Sequence, residues 1–564
     1  MKAIKTIIAF TAATMMFGAC LGEKNIDLSP VSYYNEDVVY ASDSNLDLFV
    51  KSFYNVLYAN ADIANGYVFD DGVTDLVKYS WWGVNGGTVN QFFYLGDIVN
   101  PENNFRSNWG SMYSYIRQIN EFFFDVNYGY ADNLDADALK VRIAECRFLR
   151  AFAYQELILR HGGVILRTRE DLVDGPNEKA KARSSEEDSW DFVIKEYDKA
   201  LADLPKSWSG ENAGRATWGA AMGMKARAAL YAGRWQDAYD AADSLINSGI
   251  YSLVSGSTVA SYNTIFTNPF NTEIIVPVYY KESAGNASAR QHNFNQYFCP
   301  PGDGIAYNVS VGAAATPTDE YAGFFDIKVG GAWQAFDWDN LAAYGNKPFE
   351  NRDPRFYASI LYNGATWRGR TLQIYDGGTD GFMTFKQTGQ DNDHRSTTGY
   401  IFRKFMSDAA GMNYTSVLSG QTWIEMRLAE IYLIRSEAAA RLDDFTGAYK
   451  DLNEIRARVG MDALPKVANW NAYQKDLSKE RVCELGLEGH RYFDLIRWGK
   501  AQEVLNGTRV HGVKITPDLY GNFTYERIEA DTQDRQFPVK YNIFPIPYSE
   551  LQNNRLCVQN DAWL

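Results

Sequence analysis

The chain has 564 residues, with 55 Lys+Arg against 70 Asp+Glu and a formal net charge of −15. That balance excludes a broad nucleic-acid or anionic-membrane surface, because both need positive potential; 46% hydrophobic and 22% charged residues exclude wholesale disorder. Aromatic residues make up 15% (14 Trp, 37 Tyr, 32 Phe), a total that leaves rings for flat contact surfaces after a core is filled.

The first element is an address. Lys2 and Lys5 precede an apolar run, Ile7 to Phe17, which is long enough for a signal peptide and too short to span a bilayer. It ends in Phe17-Gly18-Ala19-Cys20, small residues before a cysteine, as at a lipoprotein cleavage site, although Phe17 stands where Leu is usual. The reading is a signal peptide over 1–19, a lipidated Cys20 as the membrane anchor, and a polar tether over 20–31; the alternative is an ordinary secretory peptide. Of the other cysteines, Cys146 and Cys483 sit in helical patterns and read as buried small hydrophobes rather than a bridge; with no CxxC, zinc and dithiol redox chemistry have no support.

Residues 32–250 read as a helical region. Over 139–160, Ile143, Cys146, Leu149, Phe152, Ala153 and Leu157 line one face, and Gly162-Gly163 ends the helix. Ser185 with Asp188 three residues on is a cap signal for a helix whose stripe is Trp190, Ile194, Tyr197, Leu201 and Leu204, stopped by Pro205. Thr217–Tyr231 is rich in Ala and Gly; Gly233 breaks it, and Trp235, Tyr239, Ala242 and Ile246 form the next stripe up to Gly249. Two helices joined by a tight Gly turn are the unit of a tetratricopeptide-type repeat. The pattern returns in 423–564, with a helix expected over Met426–Leu442 and a partner carrying Phe445, Ala448, Leu452 and Ile455. Between them, 251–422 is rich in Gly, Asn, Asp, Thr and aromatics, with short strand-like runs such as Glu273–Tyr280. The expected fold is mostly α: a tetratricopeptide-like helix-pair scaffold with an irregular, loop-rich insert that either binds ligand or caps the scaffold.

Several motifs then fall in one order along the chain. They are Ala144-Glu145-Cys146-Arg147-Phe148-Leu149-Arg150-Ala151-Phe152, His161-Gly162-Gly163-Val164, Asn351-Arg352-Asp353-Pro354-Arg355 and Arg427-Leu428-Ala429-Glu430-Ile431-Tyr432-Leu433. After them come Glu480-Arg481-Val482-Cys483-Glu484-Leu485-Gly486-Leu487-Glu488-Gly489-His490-Arg491-Tyr492-Phe493-Asp494 and Phe544-Pro545-Ile546-Pro547. In this order the chain resembles the SusD/RagB family of surface lipoproteins; His161 and Ile165 are mild departures. The resemblance implies an outward-facing outer-membrane lipoprotein beside a SusC-like TonB-dependent transporter. Such a protein binds oligo- or polysaccharide for import and is not an enzyme; members on the RagB side bind peptides, which is the alternative.

Glu480, Glu484 and Glu488 sit at i, i+4 and i+8, and paired carboxylates suggest a glycosidase. Arginines at helical offsets keep carboxylates ionised, whereas a general acid needs a raised pKa, so a structural role is expected. No HExxH, GxSxG, Walker A or GxGxxG is present. No cofactor is expected; Asp337-Trp338-Asp339-Asn340 and Asp391-Asn392-Asp393 offer oxygens to a calcium ion but lack the Gly and bidentate Glu of a calcium loop, and read as solvated turns. A sugar presents an apolar face and a rim of hydroxyls, met by aromatic rings with amides, acids and cations beside them. Two stretches carry that mixture. The first holds Asp71, Lys78, Trp81, Trp82 and Asn85; the second holds Trp333 and Trp338. Tyr307 is added from the insert, with Tyr297, Trp367 and Tyr375 as weaker candidates, and each ring has packing as its alternative.

Overall fold

The computed structural model describes residues 36–61, 69–80, 84–172, 180–281, 290–307, 311–384, 394–409, 413 and 418–564, without the side chains of 84–87, 170, 172, 306 and 307. The signal peptide, Cys20 and the tether lie outside these residues. Among the described residues, no helix is long and apolar enough to cross a membrane.

The fold is mostly α. The N-terminal helices are α1 (Asp43–Phe53), α2 (Val84–Leu95), α3 (Trp109–Tyr128), α4 (Ala136–His161), α5 (Glu186–Leu201), α6 (Trp218–Tyr231) and α7 (Trp235–Asn247). The insert adds the short helices α8 (Asp319–Phe324) and α9 (Pro354–Ser359), and the C-terminal part adds α10 (Leu428–Arg441), α11 (Phe445–Ala457), α12 (Trp470–Leu485) and α13 (Arg491–Arg497). Helices α3 to α7 pack each on the next in chain order. The stack then continues from α7 onto α10 and α11, across some 180 intervening residues.

Local chemistry sets these boundaries. Ser185 Oγ accepts the Asp188 N–H and caps α5, an arrangement worth about 1 kcal/mol. Thr217 does the same for α6 through the Ala220 N–H. At the α6–α7 joint, Gly233 takes φ +71°, and the Arg234 N–H returns to the Ala229 carbonyl, so the chain reverses within two residues. Gly223 on α6 lies where an added Cβ would come 2.4 Å from Met426 Sδ, so the helix approaches its neighbour closely there.

One reading is corrected. Met426 is not helical: Trp423–Arg427 forms β8, which pairs antiparallel with β2 (Ile274–Val278), and α10 starts only at Leu428. Sheet pairing across 150 residues overrides the helical spacing at that point. Charge then joins the two ends of the stack. Arg227 on α6 reaches Glu425 and Glu430 at 2.5 and 2.7 Å, and Arg435 on α10 reaches Asp243 on α7 at 2.6 Å.

Further strands form short pairs: β1 (Val77–Tyr79) with β3 (Ala315–Pro317), β4 (Ile327–Val329) with β5 (Ala332–Gln334), β6 (Thr366–Trp367) with β7 (Arg370–Thr371), and β9 (His511–Pro517) with β10 (Phe523–Glu529), and the two-residue runs Ile360–Leu361 and Ile401–Phe402 also pair. One large apolar core runs through both helical parts and the insert, and a smaller one, with Leu433, Leu452, Tyr473 and Leu477, lies under α10 to α12. Cys146, Cys299, Cys483 and Cys557 are free and buried.

Candidate functional site

A broad cleft lies in the insert. It is open, about 620 Å³, and lined by Tyr357, Tyr362, Thr366, Arg368, Arg403 and Asp408 among others. Asp353 caps α9 by accepting the Arg355 N–H, with Pro354 pre-set for the first turn, and this helix carries Tyr357. The Tyr357 hydroxyl donates to the Phe349 carbonyl at 2.8 Å and accepts the Arg352 N–H at 3.0 Å, which fixes the half-buried ring. Arg403 donates to the Tyr357 carbonyl at 3.0 Å, and burial holds its pKa below the ordinary guanidinium value. Tyr362 is half-buried against Phe349 and Phe356, and burial pushes its hydroxyl up to about 12, so it is a neutral donor.

The opposite wall is the β6–β7 turn. Arg368 adopts φ +48°, a left-handed conformation that is costly for a side chain with a Cβ. It is held there by bonds to Asp303 Oδ2 at 3.2 Å and to the Ala409 carbonyl at 3.1 Å. Asp303 also takes the Trp367 indole N–H and two Arg370 bonds, and Arg370 bridges on to Asp380. The wall is thus clamped to the 301–307 turn. Chemically the cleft offers two ring surfaces, two guanidinium groups, a carboxylate and hydroxyls, which is the mixture that a polyhydroxylated ring requires.

Beneath it lies a buried ion cluster. Glu480 receives Arg355 and Arg456; Glu484 receives Arg355, Arg427 and Arg458; Glu488 receives Arg427 and Lys404. Burial alone would push the carboxyls of Glu484 and Glu488 up. The facing cations outweigh it, holding Glu484 far below its ordinary value and Glu488 at about 2. Both are ionised and enclosed, so this set supplies no general acid. It instead ties the insert, through Glu273, Arg355 and Lys404, to α10 and α12.

The family model described as "SusD family" matches residues 272–563, and one described as "Starch-binding associating with outer membrane" matches 27–230. The chain belongs to the SusD family. A SusD-like protein of Bacteroides ovatus is 24% identical over 525 residues, covering 88% of this chain and 83% of its own. The crystal structure of a SusD-like protein from Bacteroides fragilis superimposes with a TM-score of 0.77 at 25% identity, covering 94% of this chain and 98% of that one. A second from the same species, described as a SusD-like carbohydrate binding protein, gives a TM-score of 0.73 at 21% identity over 92% and 99%.

Within this SusD-family fold, the residues singled out from the sequence separate. Asp71 and Lys78 are corrections. Asp71 is 0% exposed and accepts the N–H groups of Gly489 and Arg491, with burial pushing its pKa up to about 6 against those bonds. Lys78 is 1% exposed and bonds Asn90, Tyr94 and Asp531; burial pulls its pKa down to about 8 against the pull of Asp531. Neither presents a surface to a sugar. Trp367, a weaker candidate, is also buried. Trp81, Trp82 and Cys20 lie outside the described residues, as do the side chains of Asn85, on α2, and Tyr307, at the end of the clamped 301–307 turn.

Trp333 and Trp338 are half-buried. Trp338 donates its indole N–H to Asp319 at 2.8 Å, and Lys328 lies 5.1 Å from the Trp333 ring centre. Asp319, which Trp338 meets, lies just beyond the end of β3. Asp337 spends its oxygens on the Asp339 N–H and the Asn340 amide. Among the described residues, no group of three acidic, His or Cys side chains is placed to hold a metal. Tyr357, Tyr362, Arg368 and Arg403 were not anticipated; the Asp353-Pro354-Arg355 turn that presents Tyr357 was the nearest signal.

Proposed function

We propose that this SusD-family protein is a non-catalytic capture protein, anchored to the outer membrane through Cys20 and facing outward, which holds oligo- or polysaccharide and passes it to a SusC-like TonB-dependent transporter. The carrying observation is the insert cleft, where the rings of Tyr357 and Tyr362 stand beside Arg368, Arg403 and Asp408. Family membership supports the same reading, as do the family description of starch binding at the outer membrane and a structural neighbour described as carbohydrate binding. A non-catalytic role is supported by the ionised, enclosed state of Glu484 and Glu488. Trp81 and Trp82 are proposed as further stacking residues on the basis of their sequence context alone.

The test is affinity electrophoresis of the chain without residues 1–20 through gels containing plant and host polysaccharides. Variants Tyr362→Ala/Arg403→Ala, Trp81→Ala/Trp82→Ala and Trp333→Ala/Trp338→Ala run alongside. Retardation by a polymer, reduced in a folded variant of the cleft, is the expected result. Migration unaffected by every polymer, together with retention of peptides, would replace this reading with peptide capture.

A further inference from the structure

A second cleft, far along the chain from the insert, has a different chemistry. It is about 350 Å³ and lies between α3, α4 and α5 and the 169–172 turn. Among the described residues, its charged lining is Arg147, Arg150, Arg169 and Lys199 against the carboxylate of Glu196. The surplus of cations stands out in a chain of net charge −15.

Glu196 is 1% exposed and receives Arg147 at 3.0 Å, Arg150 at 2.5 Å and Lys199 at 3.1 Å. Burial would push its pKa up, yet Arg150 and Arg147 hold it below the ordinary value, so it stays charged. Arg150 is fully committed: Nε and one terminal nitrogen go to Glu196 and the other to Asn120. Arg147 and Lys199 are not. Each makes one contact to Glu196, and their side chains remain 27% and 57% exposed at the cleft. Asp171, on the turn, is taken by Lys181 and by Thr168. Phe123 and Phe192 form the apolar wall, with Arg150 stacked on both. Glu196 therefore orders Arg147, Arg150 and Lys199 with one negative charge for three positive ones, and charge-assisted donors face a half-enclosed space.

A second observation indicates what carries the anion. On the adjoining face of α3 and in the turn after it, Phe124, Tyr128 and Tyr130 form a tiled row, with ring centres 5.8 and 5.7 Å apart and planes within 23°. Tyr128 is 71% and Tyr130 43% exposed. Near-parallel rings set that far apart are slipped past one another and form a shelf, the surface on which sugar rings stack. Asn127, next to Tyr128, lines the cleft, so the shelf adjoins the cleft around the helix. Asp125 sits at the shelf and accepts the Tyr40 hydroxyl, so a carboxylate already stands there and the cations of the cleft are the place for an anion.

We infer that the cleft of Arg147 and Lys199 is a second glycan site, which takes the carboxylate or sulfate of an acidic sugar whose neighbouring units lie on Tyr128 and Tyr130. The inference rests on the proposed glycan capture. It is tested in gels containing neutral polymers (starch, laminarin), uronate polymers (polygalacturonate, alginate) and a sulfated one (chondroitin sulfate). The proteins are the chain without residues 1–20, Arg147→Gln/Lys199→Gln, and Lys199→Gln as a milder change at an exposed residue. Arg150 still pairs with Glu196 in all of them, and thermal melts check folding.

The expected result is retardation by an acidic polymer that weakens about tenfold or more in the double variant, severalfold in Lys199→Gln, and falls as NaCl is raised, while retardation by a neutral polymer is unchanged. Which acidic arm responds separates uronate from sulfate. Retardation by neutral polymers only would overturn this site and leave the capture reading intact. Equal retardation of wild type and variants by acidic polymers would also overturn it, and no retardation by any polymer would overturn both.

Discussion

Arg427 and Glu484 meet at 2.6 Å with 1% and 0% of their side chains exposed, and the same guanidinium also bonds Glu273 and Glu488. One arginine at the start of α10 thus satisfies three carboxylates, one from beside β2 and two from the end of α12 and its following turn. Removing it leaves buried charge uncompensated, which costs about 3–5 kcal/mol. Arg427→Met is therefore expected to lower the urea midpoint sharply, and Glu484→Gln to do so by a similar amount. A loss below about 1 kcal/mol in both would show that this cluster does not hold the insert to the scaffold.

Acid should destabilise the protein in two stages. His161, His292 and His490 are buried, and desolvation holds them at about 3, 4 and 4. His292 shows why: its Nε2–H donates to the Gln421 carbonyl while Nδ1 accepts the Phe294 N–H, an arrangement that needs the neutral ring. These folded-state values lie below the unfolded value of about 6.5. Between about pH 6.5 and pH 4 the unfolded chain binds the extra protons, so stability falls as pH drops through that window. Glu484 and Glu488 are depressed carboxylates; their contribution is complete above about pH 4.5 and is lost as pH falls toward 2. Unfolding midpoints taken from pH 7 down to pH 4 should decline, and His292→Asn should flatten the slope by about one proton. A midpoint constant between pH 7 and pH 5 would contradict the assignment.

Gly163 gives a local test of the His161-Gly162-Gly163 turn. A Cβ there would lie 2.3 Å from the Ser184 carbonyl oxygen and 3.0 Å from the Glu186 N, both backbone atoms at the start of α5. Nothing flexible is available to yield, so Gly163→Ala should destabilise by about 1–3 kcal/mol through displaced backbone. Ser185→Ala, which removes only the cap, should cost about 1 kcal/mol. If Gly163→Ala proves the milder of the two, the close packing of this turn on α5 is not what requires glycine.

What could be read from the sequence was local. The cap at Ser185, the break at Gly233 and the stripes of α4 to α7 depend on residues within one or two turns of each other, so their physics is written in adjacent positions. Strand β8 was missed because its partner β2 lies some 150 residues away, and a five-residue strand followed directly by a helix has the spacing of a longer helix. Asp71 and Lys78 were misassigned for the same reason. As isolated charged residues beside tryptophans they suit a sugar, but their partners Gly489, Arg491 and Asp531 arrive from more than 400 residues further on. The insert cleft was invisible in the sequence, since Tyr357, Tyr362, Arg368 and Arg403 become neighbours only when the β6–β7 turn is clamped to Asp303.

That clamp makes the cleft separable into stacking and shape. Tyr362 contributes ring surface and packs on Phe349 and Phe356, and its hydroxyl makes no hydrogen bond among the described residues. Tyr362→Phe should therefore leave stability unchanged and weaken retention by a retarding polysaccharide only where the hydroxyl meets the ligand. Tyr362→Ala removes a stacking face worth about 1 kcal/mol, roughly a fivefold loss of affinity. Asp303→Asn acts at a distance. It weakens the carboxylate that holds Arg368 and Arg370, so the strained Arg368 turn should relax and affinity should fall although Asp303 itself need not touch the sugar. The diagnostic pattern is a loss in both Tyr362→Ala and Asp303→Asn with melting temperatures near wild type for the former. Undiminished retention in both variants would move the sugar away from this cleft.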